Sequence, residues 1–140
     1  MALLLAPSRE LAMQTAKVIQ EFIEVFNDKL RFCYFIGGDK LEYDLERIAE
    51  KGANIVVATP GRLFDLVCEK EALSLRKIEV VILDEADKLM EQGHEMHLTH
   101  ILQKLPKQRR TGLFSATMPA SLKNFIKVGM RNPYFVDVKH

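Results

Sequence analysis

The sequence has 140 residues, of which 48% are hydrophobic, and this is enough for one compact domain with a buried core. Its 20 Lys and Arg residues almost balance 19 Asp and Glu residues, so the formal net charge of +1 excludes nucleic-acid binding by a global positive field. The longest apolar runs are far shorter than the roughly 20 residues that cross a bilayer, so no membrane-spanning segment is predicted.

The two cysteines, Cys33 and Cys68, are too few for a disulfide framework, and we therefore expect a reducing, intracellular setting. Met1 leads directly into an apolar run without a charged segment, which is typical neither of a signal peptide nor of a natural domain start. We therefore expect residues 1–140 to be part of a domain in a longer protein.

Five short apolar runs bounded by turn residues predict buried strands. They lie at residues 2–6, 32–36, 55–58, 80–83 and 112–114. Between the runs, apolar residues recur at helical spacing, namely Ile19, Phe22, Ile23, Phe26, Leu41, Leu45, Ile48, Leu98, Ile101, Leu102 and Leu105. This alternation predicts an α/β fold with a mostly parallel sheet and helices on both faces. Residues 134–138 form a candidate sixth strand.

Pro60 and Pro119 mark turns from a strand into a helix. Proline is tolerated in the first turn of a helix because its φ angle is already helical and its missing N–H group is not needed there. Ligands of open α/β sheets bind outside the carboxyl ends of the strands, so we expect the chemistry of this chain near such turns.

Three carboxylates, those of Asp84, Glu85 and Asp87, directly follow the predicted strand at residues 80–83. Mg²⁺ is usually held by one or two carboxylates together with substrate phosphates, and a neighbouring carboxylate can activate a water molecule. The alternative is an acidic helix start that the helix dipole stabilises. The four residues alone do not decide between a metal site and this structural role.

Five short motifs occur in a fixed order along nearly the whole chain. They are Pro7-Ser8-Arg9-Glu10-Leu11-Ala12, Gly37-Gly38, Thr59-Pro60-Gly61-Arg62, Asp84-Glu85-Ala86-Asp87 and Ser115-Ala116-Thr117. In order and spacing they resemble the signatures of the DEAD-box RNA helicases. The resemblance implies a partial RecA-like domain, the first of two in an ATP-dependent RNA helicase that uses ATP and Mg²⁺.

The resemblance also implies roles for individual residues. Asp84 would hold the metal, usually through water, and Glu85 would position the hydrolytic water. Asp87, Ser115 and Thr117 would form the hydrogen-bonded link between nucleotide state and strand separation. For Ser115 the alternative is an ordinary turn hydroxyl that bonds to nearby backbone.

The same resemblance implies a track for single-stranded RNA, lined by Pro7, Arg9, Gly38, Thr59, Gly61 and Arg62. Glycines allow a phosphate to approach the backbone, and arginine forks match phosphate oxygens, so these residue types suit backbone contacts that do not read bases. Such binding should be salt-sensitive and tolerant of sequence. For Arg9 and Arg62 the alternative is a solvated or salt-bridged surface arginine.

The sequence departs from the family in what it lacks. A phosphate loop of the form Gly-x-x-x-x-Gly-Lys-Ser/Thr does not occur in the 140 residues, and Gly37-Gly38-Asp39-Lys40 does not fit it. We therefore expect a sheet without the phosphate-loop strand, a second RecA-like domain as partner, and no ATP turnover by the chain alone. Residues 111–115 would then form an exposed edge that could pair with another copy. The alternative function is a non-catalytic RNA-binding or protein-scaffolding module.

Two further features are predicted to be minor. His94, His97 and His100 do not have zinc-peptidase spacing and are interpreted as surface histidines rather than a metal site. His94 stands where the family commonly has an aromatic residue, and Ser8 replaces a commoner threonine. Residues 107–117 resemble the ribosome-assembly branch of the family, which suggests a nuclear or nucleolar location.

Overall fold

The computed structural model describes residues 1–26, 29–91 and 93–138. Its centre is a sheet of five four-residue strands, β1 (Ala2–Leu5), β2 (Phe32–Phe35), β3 (Ile55–Ala58), β4 (Val80–Leu83) and β5 (Arg110–Leu113). The strand order is β2-β3-β1-β4-β5, and all four pairings are parallel. The five predicted strands are thus confirmed, with ends that differ by one or two residues.

The helices connect the strands in the predicted alternation. They are α1 (Arg9–Ile23), α2 (Leu41–Lys51), α3 (Pro60–Phe64), α4 (Ala86–Glu91), α5 (Glu95–Lys104) and α6 (Ala120–Gly129). A short 3₁₀ turn, Glu24–Phe26, follows α1, and a π-helical turn, Asp65–Glu69, continues α3. Among the described helices, none combines the length and apolar content needed to cross a membrane.

The strands send alternate side chains to two faces of the sheet. Leu3 and Leu5 of β1 belong to the larger core, which also receives buried side chains from α3, α4, α5 and α6. Leu4 and Ala6 belong to the smaller core on the other face, together with Ala12 of α1. The sheet therefore has helices on both faces, as predicted.

Small residues set the distance between α1 and the sheet. Ala12 and Ala16 are the buried residues of α1, and Ala12 packs in one cluster with Ala6 and Val57. By contrast, Phe22 and Phe26, which belong to the predicted apolar stripe, are exposed. The helical spacing predicted α1 correctly, but its tightest contact to the sheet is made by alanines nearer its start.

The prediction of a sixth strand is wrong. Residues 134–138 form no strand, and the side chains of Tyr134, Phe135, Val136 and Val138 are exposed. An apolar run becomes a strand only where its backbone can complete a hydrogen-bonded ladder, and this segment pairs with none of the described strands. β5 consequently lies at the edge of the described sheet, and the neighbouring Phe114 is 61% exposed.

We predict that Ala12→Leu destabilises the fold. Ala12 is fully buried between α1 and the sheet, so extra methylene groups would force the helix outward, at a cost of about 1–3 kcal/mol in the free energy of unfolding. Urea denaturation would measure the loss. Met13→Leu is the matched control, because Met13 is exposed on the same helix; equal stabilities of both variants would contradict this packing.

Candidate functional site

The parallel sheet brings the predicted site residues to one edge. The last residues of the strands, Phe35, Ala58, Leu5, Leu83 and Leu113, lie in one row of the sheet register. The motif residues follow this row directly. Strand order divides them into two groups, one after β2, β3 and β1 and the other after β4 and β5.

The second group is the acidic cluster, which we define as Asp84, Glu85, Asp87, Ser115 and Thr117. The Asp84 amide donates a hydrogen bond to the Leu5 carbonyl (2.9 Å), so Asp84 is held at the end of the sheet ladder. Its Oδ1 accepts a bond from the Glu85 amide (2.9 Å). The side chains of Asp84 and Glu85 are half-buried, so each is partly accessible to a ligand.

Glu85 has an unusual backbone conformation. Its φ angle is +46°, in the left-handed region that residues other than glycine rarely adopt. Such strain persists only where surrounding structure enforces it, and here the Ala86 amide is bonded to the Phe114 carbonyl (2.9 Å). The Glu85 carboxylate lies 3.0 Å from Lys88 Nζ. The turn thus holds Glu85 in a strained backbone conformation between Asp84 and Asp87.

The chemistry of the acidic cluster fits Mg²⁺ bound together with phosphates. Asp84 offers hard carboxylate oxygens at a half-exposed position. Within residues 1–26, 29–91 and 93–138, no group of three or more His, Cys, Asp or Glu side chains is arranged to hold a metal ion. A protein cage for a metal is therefore not present in this part of the chain, whereas Asp84 suits a site that phosphate oxygens and water complete.

Asp87 joins the ends of β4 and β5 through a closed set of hydrogen bonds. Its Oδ2 accepts bonds from Thr117 Oγ1 (2.7 Å) and from the Thr117 amide (3.2 Å). Ser115 Oγ accepts a bond from the Asp87 amide (3.1 Å) and donates to the Thr117 carbonyl (2.7 Å). Ser115 therefore belongs to a link between two strands and is more than a local turn hydroxyl.

The hydrogen bonds keep Asp87 ionised. The Thr117 hydroxyl makes the largest contribution to lowering the pKa of Asp87, burial opposes it, and Ser115 adds to the lowering. Asp87 itself is only 7% exposed, whereas its main donor, Thr117, lies at the surface. Asp87 is thus a carboxylate at neutral pH, held by neutral donors.

The first group of motif residues forms a second cluster around the Gly37-Gly38 turn. Ser8 Oγ accepts a bond from the Leu11 amide (3.2 Å) and so caps α1, which leaves the next residue, Arg9, exposed. Gly38 has φ +99°, and a Cβ atom there would lie 2.8 Å from Arg9 Cζ. Glycine is therefore favoured by the backbone conformation, and the exposed Arg9 guanidinium lies close against it.

Other predicted RNA residues are more buried than Arg9. Pro7 is buried, Thr59 is 8% exposed at the start of α3, and Gly61 is half-buried. Arg62 is 8% exposed, and its two terminal nitrogens donate to Asp44 Oδ2 (2.5 Å) and to the Asp39 carbonyl (2.6 Å). The salt-bridged alternative therefore describes Arg62, although its bridge lies in the interior and not at the surface.

Sequence reasoning missed two residues, Asp44 and Arg47. Asp44 is 1% exposed and binds both Arg62 and Arg47. A signal was present, because Asp44 lies on the same helical face as the apolar residues Leu41 and Ile48, where an isolated charge requires a partner.

The histidines are less exposed than predicted. His94 and His97 are half-buried, whereas His100 is exposed. The Phe64 ring lies 4.8 Å from the His97 ring and 5.6 Å from the His100 ring, measured between centroids. Burial lowers the pKa of His94, and His97 lowers it further, while a hydrogen bond to the Pro7 backbone opposes the change. The histidines therefore contact α3 through Phe64, and His94 contacts the Pro7 backbone.

We predict that Thr117→Val lowers stability in a pH-dependent way. The variant loses the main bond to Asp87, about 1 kcal/mol or somewhat more at neutral pH because the acceptor is charged. The lowered pKa of Asp87 gives stability above its unfolded-state pKa, near 4, that is lost as the pH falls through the folded-state pKa. Urea unfolding across this range should show the gap to wild type closing; a gap independent of pH would contradict the charged link.

The matched control is Thr99→Val. Thr99 is an exposed residue of α5 whose hydroxyl donates to the Glu95 carbonyl (2.8 Å), so it loses the same hydroxyl without a carboxylate partner. Its stability difference from wild type should not depend on Asp87 ionisation.

Comparison with known proteins identifies the family. Residues 1–125 match the model of the DEAD/DEAH box helicase family. DEAD-box ATP-dependent RNA helicase 18 of Arabidopsis thaliana is 40% identical over 139 residues, which are 99% of this chain and 23% of that protein. ATP-dependent RNA helicase DDX55 of Homo sapiens is 45% identical over an alignment of 143 positions, which covers 99% of this chain and 24% of that protein.

A solved structure has the same fold. The yeast DEAD-box splicing factor Prp28 superposes with a TM-score of 0.85 at 35% identity, covering 93% of this chain and 30% of that chain. The described chain therefore has the RecA-like fold, and it spans about a quarter of the length of its curated relatives. The chain belongs to the DEAD/DEAH box helicase family.

Proposed function

We propose that the chain serves an ATP-dependent RNA helicase as part of its first RecA-like domain. It supplies the carboxylates for magnesium-bound ATP, part of a track for single-stranded RNA, and the link between them. The observation that carries this proposal is the Asp87–Thr117–Ser115 network, which ties the end of β4 to the end of β5 beside Asp84 and Glu85.

The acidic cluster has the parts that phosphoryl transfer to water requires. Asp84 would hold the magnesium of a bound nucleotide, and the metal would supply positive charge that offsets the charge of the phosphates. Glu85 orients and deprotonates the attacking water. The strained turn at Glu85 supports a functional role for this residue, because such backbone strain is concentrated at active sites. Asp87 stays ionised, and its hydrogen bonds connect this strand end to the turn after β5.

The RNA track runs along the ends of β1, β2 and β3. Exposed Arg9 provides a positive charge next to the Gly37-Gly38 turn, where the absence of a side chain on Gly38 lets the Arg9 guanidinium lie against the backbone. Thr59 and Gly61 contribute polar and backbone groups at the start of α3. Contacts of this kind hold the RNA backbone without reading bases, so binding is salt-sensitive and tolerant of sequence.

The isolated chain should not turn over ATP. A phosphate-loop pattern does not occur in its 140 residues, and a second RecA-like domain supplies the arginine fingers and the other cleft wall in proteins of this type. The same sequence fact favours a second candidate, a non-catalytic RNA-binding or protein-scaffolding module. The two candidates differ in whether the longer protein hydrolyses ATP with these carboxylates.

We predict that Glu85→Gln in the longer helicase polypeptide lowers RNA-stimulated phosphate release by a factor of about 10² to 10⁴, the usual contribution of a general base. RNA binding should persist, since Glu85 lies outside the RNA track. Glu91→Gln is the matched control, because Glu91 is an exposed carboxylate at the end of α4. Equal rates for wild type and Glu85→Gln would remove Glu85 from the chemistry; RNA binding without any ATP hydrolysis by wild type would favour the non-catalytic module.

We further propose that the isolated chain self-associates through β5. An exposed strand edge with apolar neighbours can pair with another chain, and Leu113 and Phe114 lie at this edge. Phe114→Lys should reduce concentration-dependent association in light scattering, because charge at an edge opposes pairing. The control Val25→Lys changes an exposed apolar residue elsewhere; a monomeric wild type at high concentration would contradict the edge dimer.

We base a proposal for the location of the longer protein on residues 107–117, which resemble the ribosome-assembly branch of the family. A nuclear or nucleolar helicase acting on ribosomal precursors is consistent with an intracellular protein that has few cysteines. Microscopy of the tagged protein would test this location directly.

A further inference from the structure

The most buried charge of the described chain lies outside the motif residues. Asp44 is 1% exposed and sits on the inner face of α2, beside the partly buried apolar residues Leu41 and Ile48. Burying a carboxylate is costly unless positive partners and hydrogen bonds replace its hydration. The partners of Asp44 therefore show which parts of the structure this carboxylate holds together.

One partner connects Asp44 to the predicted RNA track. Arg62 Nη1 donates to Asp44 Oδ2 (2.5 Å), and Arg62 Nη2 donates to the Asp39 carbonyl (2.6 Å). A planar guanidinium can make both bonds at once, whereas a lysine ammonium lacks this fork. Arg62 thus joins the start of α3 to the turn that contains Gly38 and Asp39.

The other partner connects Asp44 to β2. Arg47 forms a salt bridge with Asp44 Oδ1 and donates to the Tyr34 carbonyl (3.2 Å). The Arg47 guanidinium also lies 5.3 Å from the Tyr34 ring centroid and 5.6 Å from the Phe35 ring centroid. Asp44 therefore stands between two arginines, and the whole set spans β2, the glycine turn, α2 and α3.

From this arrangement we infer that Asp44 is a positioning residue for RNA binding, whose carboxylate fixes Arg62 so that the Gly37-Gly38 turn and the start of α3 face RNA in one geometry. Arg62 acts in this scheme as an internal clamp, and exposed Arg9 provides the positive charge toward phosphate. The inference rests on the proposed RNA track, and it assigns a role to Asp44, which lies outside the five motifs.

A variant that makes the chain more positive distinguishes two roles of Arg62, namely an internal clamp and a direct contact to phosphate. Asp44→Asn removes one negative charge, so the formal net charge rises by one from its value of +1. If Arg62 bound phosphate directly, release of Arg62 from Asp44 would leave RNA affinity unchanged or increase it. If Asp44 positions the track, affinity falls although the protein has become more positive.

The experiment measures binding of a labelled single-stranded oligouridylate to the 140-residue chain by fluorescence anisotropy. Asp44→Asn should bind about tenfold more weakly, the equivalent of one lost charge-assisted hydrogen bond. Glu46→Gln is the matched control, since Glu46 is an exposed carboxylate on the same helix and its loss changes the net charge equally. Unchanged or tighter binding by folded Asp44→Asn would overturn the positioning role.

A second readout does not depend on RNA. The Tyr43 amide is bonded to the Lys40 carbonyl (3.2 Å), and the Leu63 amide is bonded to the Thr59 carbonyl (3.1 Å), so these amides report the first turns of α2 and α3. Hydrogen exchange followed by NMR should be at least several-fold faster at both amides in Asp44→Asn than in Glu46→Gln. Unchanged exchange would overturn the clamp. Faster exchange without RNA binding by wild type would support the clamp and contradict the RNA track.

Arg62→Gln keeps the test possible if Asp44→Asn does not fold. In this variant Asp44 retains its salt bridge to Arg47, so no buried charge is left without a partner. Exchange at Tyr43 and Leu63 should again rise, and unchanged exchange would overturn the clamp. Where both variants fold, adding Asp44→Asn to Arg62→Gln should weaken RNA binding no further, because Asp44 acts through Arg62; a full additional loss would contradict this.

Discussion

All five parallel strands end at one edge of the sheet, and beyond that edge the backbone ladder continues for only a few residues. Side chains are therefore needed to hold the loops that follow the strand ends, which are Phe35, Ala58, Leu5, Leu83 and Leu113. Two buried carboxylates meet this requirement. Asp44 holds the loops that follow β2 and β3, and Asp87 holds the loops that follow β4 and β5. The geometry of both halves of the site depends on these two side chains.

The sequence predicted the elements that local rules specify. Alternating apolar runs and helical stripes located the five strands, and prolines located the turns before α3 and α6, because each signal lies within a few neighbouring residues. The same rule wrongly predicted a strand at residues 134–138, because a strand also requires a partner, which a local apolar run cannot reveal. The motifs of the acidic cluster directly follow two predicted strands, and parallel strands end at a common edge, so their positions in the chain were enough to predict that they lie together.

Contacts between residues that are far apart in the chain could not be predicted from the sequence. Arg62 and Asp44 are separated by 18 positions and meet only after β3 has packed beside β2, so the motif alone could not show that this arginine is enclosed. The same holds for His94 and His97, whose positions depend on the packing of Phe64 against α5. Residue type and spacing identify candidate chemistry, whereas burial decides which candidates face a ligand.

The two carboxylates differ in the strength of their partners, and this difference suits different tasks. Asp44 is bound by the buried guanidinium of Arg62 and by the partly exposed guanidinium of Arg47, and breaking the buried pair costs about 3–5 kcal/mol, so the clamp remains closed. Asp87 is bound by hydroxyl and amide donors near the surface, where each bond contributes about 1 to 3 kcal/mol. A link made of such bonds opens at a lower cost than the Asp44 clamp does. Under the proposed function, the rigid clamp would lie on the RNA side and the weaker link on the nucleotide side, where a reversible contact suits coupling between the two.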